Sequence, residues 1–96
     1  MKRQSMTPGA SDTPLRGYIV NVEGEPTAVL IHAAHGLDAA REVCEQRGWG
    51  SPLGEGSIAG GWAAFSDAHT VRAWPLGSPQ ADAALAVARA HLEDLR

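Results

Sequence analysis

The chain has 96 residues, 44% of them hydrophobic, with 8 basic against 11 acidic side chains and a net charge of -3. That is enough for one compact domain and too little for two. No apolar run approaches the roughly 18 residues of a membrane helix, and Gln4-Ser5-Met6-Thr7-Pro8-Gly9 stands where a leader's apolar segment should follow Met1-Lys2-Arg3. The lone Cys44 leaves no internal disulfide, so a reducing cytoplasm is the expected compartment.

Residues 1–16 are rich in Ser, Thr, Pro and Gly without apolar periodicity, which predicts a flexible N-terminal arm ahead of a single α+β domain over 17–96. Tyr18-Ile19-Val20-Asn21-Val22-Glu23 is β-rich, with Tyr18, Val20 and Val22 alternating onto one face. Gly24-Glu25-Pro26 is turn chemistry, and Thr27 to His32 reads as the returning strand of a hairpin. Leu37 to Arg47 turns helical, with Leu37, Ala40, Val43 and Cys44 on one face and Gly48 as the stop. Residues 48–57 are dense in Gly, Ser and Pro and predict a loop carrying Trp49 and Glu55.

Ile58 to Phe65 and Thr70 to Trp74 predict a second hairpin joined around Ser66-Asp67-Ala68-His69, in which Gly60-Gly61 implies a bulge or a close backbone approach. Ser78-Pro79 opens a last helix whose stripe is Ala81, Ala84, Leu85, Ala88, Leu92 and Leu95. The predicted order is β-β-α-β-β-α. The simplest packing is a four-stranded antiparallel sheet with both helices on one face.

Catalytic and cofactor chemistry finds little footing. His32, His35, Cys44 and His69 suggest zinc, but no second ligand pair follows at finger-like spacing and Cys44 sits on the apolar helix face. Cys44 also lies beside Glu42 and Glu45, which disfavour a thiolate nucleophile. The glycines of 48–56 follow a helix and precede a strand, with no lysine nearby, unlike a phosphate loop. We therefore expect no enzyme, no cofactor and no metal.

Thr70, Arg72 and Trp74 share one strand face, a pattern that suits base stacking or a protein contact. Charge separates the two. Residues 17–71 hold Glu23, Glu25, Asp38, Glu42, Glu45, Glu55 and Asp67 against only Arg41 and Arg47, a surface that repels phosphate. Direct nucleic-acid binding is not expected, nor is a membrane. The candidate partner-binding residues are Glu23, Glu25, Trp49, Glu55, Asp67, Arg72 and Trp74.

Tyr18-Ile19-Val20-Asn21-Val22-Glu23, then an Ala-rich helix, then Trp49-Gly50-Ser51-Pro52, then Ala73-Trp74-Pro75 after a strand, make an order of elements that resembles the small phage-encoded anti-CRISPR proteins aimed at type I systems. The likeness spans about residues 17–76. The chain departs from it in a longer Gly-rich loop at 53–57 and in the helix over 79–96. What the resemblance implies is a non-catalytic inhibitor in the host cytoplasm. It would bind subunits of a type I CRISPR surveillance complex and block target DNA binding or nuclease recruitment, as a monomer or homodimer. The alternative, from another functional class, is a small homo-oligomeric enzyme or ligand-binding domain with a pocket between subunits, for which His32, His35, His69 and Arg72 would be the polar groups.

Overall fold

Residues 14–95 are described by a computed structural model. Among these described residues, five strands and two helices follow in the order β1 (Arg16–Val22), β2 (Ala28–Ala33), α1 (Gly36–Gln46), β3 (Gly54–Ile58), β4 (Gly61–Ser66), β5 (His69–Pro75) and α2 (Pro79–Asp94). The strands form one sheet in the order β2-β1-β5-β4-β3, every neighbouring pair antiparallel.

The architecture is α+β with an antiparallel sheet, but it has five strands rather than four. The extra strand is β3, in the segment expected to be a loop. Gly54-Glu55-Gly56-Ser57 has poor β propensity, and pairing along β4 overrides it. The Gly60-Gly61 pair is likewise neither bulge nor strand interior. Ala59 and Gly60 form a two-residue turn with Gly60 at φ +85°, and Gly61 begins β4. Gly61 does meet the expected close approach, since a Cβ there would lie 2.4 Å from the Ala73 carbonyl oxygen. Of the expected arm, residues 1–13 lie outside the described part, and Arg16 already belongs to β1.

The helices do not share a face. Register places Tyr18, Val20, Ile31, Ala33, Ala64, Val71 and Ala73 on one side of the sheet, where they pack with Ala39, Ala40, Val43 and Cys44 of α1. Ile19, Asn21, Leu30, Arg72 and Trp74 point the other way, toward the side of α2. There α2 packs chiefly on β1, and Ala88, His91 and Leu92 line an open cleft with Pro26, Thr27 and Ala28. The nearly unbroken apolar run of β1 is what a strand covered on both sides requires.

Caps fix both helix starts. The His35 side chain accepts the Leu37 N–H at 3.1 Å, and the Ser78 hydroxyl accepts the Ala81 N–H at 3.1 Å ahead of Pro79. Gly36 must be glycine, because a Cβ there would fall 2.2 Å from the Trp62 ring that covers it.

Candidate interaction surface

One end of the sheet gathers three connections: the 23–27 turn between β1 and β2, the chain leaving α1 at 47–53, and the Asp67-Ala68 turn between β4 and β5. Trp49 is placed there by the way α1 stops. Gly48 takes φ +76° and donates its N–H to Glu45 at 3.0 Å, while the Trp49 N–H reaches Cys44 at 2.9 Å. This pair of bonds closes the helix on a left-handed glycine and turns the next side chain back onto the body of the protein. The Trp49 carbonyl also accepts the hydroxyl of buried Ser66 at 2.9 Å.

The indole is thereby held from both of its backbone groups, and its ring is half-buried against the core. His69 stacks on it with centroids 3.8 Å apart and planes 9° from parallel. The Arg47 guanidinium lies 5.2 Å from the ring centre and is itself fixed by Glu25, which takes its two N–H groups at 2.7 and 3.0 Å. That hydrogen bond holds the Glu25 carboxyl below the ordinary carboxylate range.

The Asp67-Ala68 turn carries His69 into the stack. Its residues have φ of 50° and 66°, the mirror-image turn that suits a tight hairpin. Asp67 adopts this conformation readily, whereas Ala68 does so at a steric cost.

The expected partner-binding residues fall in three places. Glu25, Trp49 and Asp67 meet at this end. Glu23 stands beside it, its N–H donating to Thr70 at 2.9 Å, but its carboxylate reaches across the α2 side to Arg72 at 3.2 Å. Arg72 and Trp74 share that side, as their alternation predicts. The Trp74 ring lies over Gly61, and its N–H donates to Asn21 Oδ1 at 2.7 Å. Glu55 sits on the edge strand β3, bound by Arg41, which also holds Asp38 at 2.9 Å. Three of the four acids thus carry an arginine partner, and among the described residues Asp67 carries none.

Arg47 and His69 belong to the cluster without having been singled out for it. They stand 22 residues apart in sequence, and only the folded sheet brings them to one indole.

The polar groups of the alternative reading are spread over the molecule. His32 is exposed on β2, His35 caps α1 at the far end of the sheet, His69 is in the stack and Arg72 is paired with Glu23. Among the described residues no three His, Cys, Asp or Glu side chains gather in a metal-sized group. Cys44 is buried, and burial pushes its thiol up, away from the thiolate a nucleophile needs. Among the described residues no helix is long and apolar enough to cross a membrane. Comparison with protein-family models, with curated proteins and with solved structures finds no match.

Proposed function

We propose that the protein acts by binding another protein, and that the sheet end built around Trp49 is the surface it uses. The observation that carries this reading is the fixed stack of Trp49 on His69 beside an arginine anchored by Glu25. Trp and Arg dominate the energetics of protein interfaces, and side chains already held in place lose little freedom on binding. Asp67, without an arginine partner among the described residues, adds negative charge at the same end of the sheet, which suits a basic partner and speeds its approach.

The partner we propose is a type I CRISPR surveillance complex, with the protein as its non-catalytic cytoplasmic inhibitor. Two things support this: the sequence resemblance over residues 17–76, and an acidic surface able to compete for Lys and Arg side chains that grip phosphate.

The test is affinity capture with the tagged protein from a bacterium with active type I complexes, read by mass spectrometry, alongside Trp49→Ala. Stoichiometric capture of surveillance-complex subunits, lost in Trp49→Ala while its circular dichroism stays native, is the expected result. Replacing Glu23, Glu25 and Glu55 by Lys should slow association with the captured complex. Capture of no such subunit would overturn the assignment of the partner. Undiminished capture by Trp49→Ala would overturn the assignment of the surface.

A further inference from the structure

Among the described residues, the strand β2 lies at one edge of the sheet, with only β1 beside it. Which of its backbone groups face outward follows from the far side of β1. The Glu23 N–H donates to Thr70 and the Leu76 N–H donates to Gly17, so the odd-numbered residues of β1 point their backbone groups at β5. The even-numbered ones point at β2, where register joins Arg16 with Ala33, Tyr18 with Ile31 and Val20 with Val29. The N–H and C=O groups of Ala28, Leu30 and His32 are left facing away from the sheet.

These three positions are symmetric about Leu30. An antiparallel second copy of β2, related by a two-fold axis through Leu30, would set Leu30 opposite Leu30 and Ala28 opposite His32, each pair exchanging both of its backbone hydrogen bonds. On the α1 side of the sheet Val29 would face Ile31, and on the α2 side the two Leu30 side chains would meet. Both Val29, 43% exposed, and Leu30, 50% exposed, are apolar side chains left in water on the single chain.

Edge strands of soluble proteins are normally guarded by charge, by proline or by a bulge. The segment Ala28-Val29-Leu30-Ile31-His32-Ala33 has no Asp, Glu, Lys, Arg or Pro, and its register with β1 is unbroken. The opposite edge, β3, carries Glu55 and two glycines. Absence of charge also selects the occupant. A charged peptide finds no counter-charge along β2, whereas a second copy brings none to be neutralised.

We propose that the protein forms a two-fold dimer by antiparallel pairing of β2 with β2, centred on Leu30, which joins two five-stranded sheets into one of ten strands.

Sedimentation velocity of the full chain over a series from micromolar to near-millimolar should show a monomer–dimer equilibrium. Leu30→Lys places two like charges directly opposite one another and should raise the dimer dissociation constant roughly tenfold or more, with circular dichroism unchanged. As a second readout that does not weaken the fold, Leu30→Cys should cross-link to its own copy on mild oxidation, since directly opposite Cα atoms in such a pair lie about 5.5 Å apart. His32→Cys should not, because four residues of strand separate it from its copy in this register. A chain that stays monomeric throughout overturns the proposal, including the case in which amide exchange shows the β2 edge protected by residues of the same chain. A dimer that survives Leu30→Lys unchanged, or that cross-links as readily through His32→Cys, overturns it as well.

Discussion

Both described helices carry small residues, and the two sides of the sheet put them to different use. In α1 the small residues are contact points: Ala39, Ala40 and Cys44 are fully buried, and Gly36 lets the Trp62 ring lie on the first turn. In α2 only Ala81 is fully buried, and Val87, Leu92 and Leu95 stand largely in solvent. One helix completes the core, while the other relies on its Ser78-Pro79 start, its helix propensity and a narrow line of contact with β1. Small residues stabilise a fold through what they allow to come near, and the two helices show the presence and the absence of such a neighbour.

The largest effect that would test this contrast is a pair of matched truncations. Val20→Ala removes two buried methyl groups from beneath α1 and should cost about 2 kcal/mol, whereas Val87→Ala on the exposed face of α2 should stay within about 0.5 kcal/mol. Urea midpoints of the two variants decide it, and equal losses would dissolve the distinction between the two sides. A smaller effect of opposite sign is expected at the end of the sheet where the Trp49 stack sits. Ala68→Gly relieves a left-handed alanine and should stabilise by about 0.5–1 kcal/mol, net of the freedom glycine gains on unfolding. The smallest effect is electrostatic. Glu25 and Glu55 have carboxyl groups held low by Arg47 and Arg41, so their contribution is present above the ordinary carboxylate range and is lost as pH falls through and below it. Both pairs are open to solvent, so the loss between about pH 5 and pH 3 should be slight, and Glu25→Gln should flatten part of it.

Legibility in the sequence followed the strength of local patterns. The hairpin of β1 and β2, the helix ended by Gly48 and the helix begun at Ser78-Pro79 all carry periodicity or caps that act within a few residues. The strand β3 carries none, because an edge strand of Gly, Glu and Ser is made by its neighbour rather than by its own propensity. Placing the helices on opposite sides was open to a closer reading: Ile19 is as apolar as the Tyr18 and Val20 that flank it, and a strand buried on one side only would carry a polar residue there. The end of α1 at Gly48 sets Arg47 and Trp49 locally, but the stacking of His69 on that indole had no local signature. Its geometry depends on where the β4–β5 turn falls relative to the end of α1, a relation that exists only once five strands are in register.

Cys44 has a consequence for measurement. The protein's one thiol is sealed between α1 and the sheet, and its environment keeps it protonated. An alkylating reagent can reach it only when α1 lifts away, so the rate of its modification at a fixed reagent concentration becomes a clock for the opening of the core. A fluorophore placed on any introduced surface cysteine would label first and alone, leaving that internal clock untouched for a second reading on the same molecule.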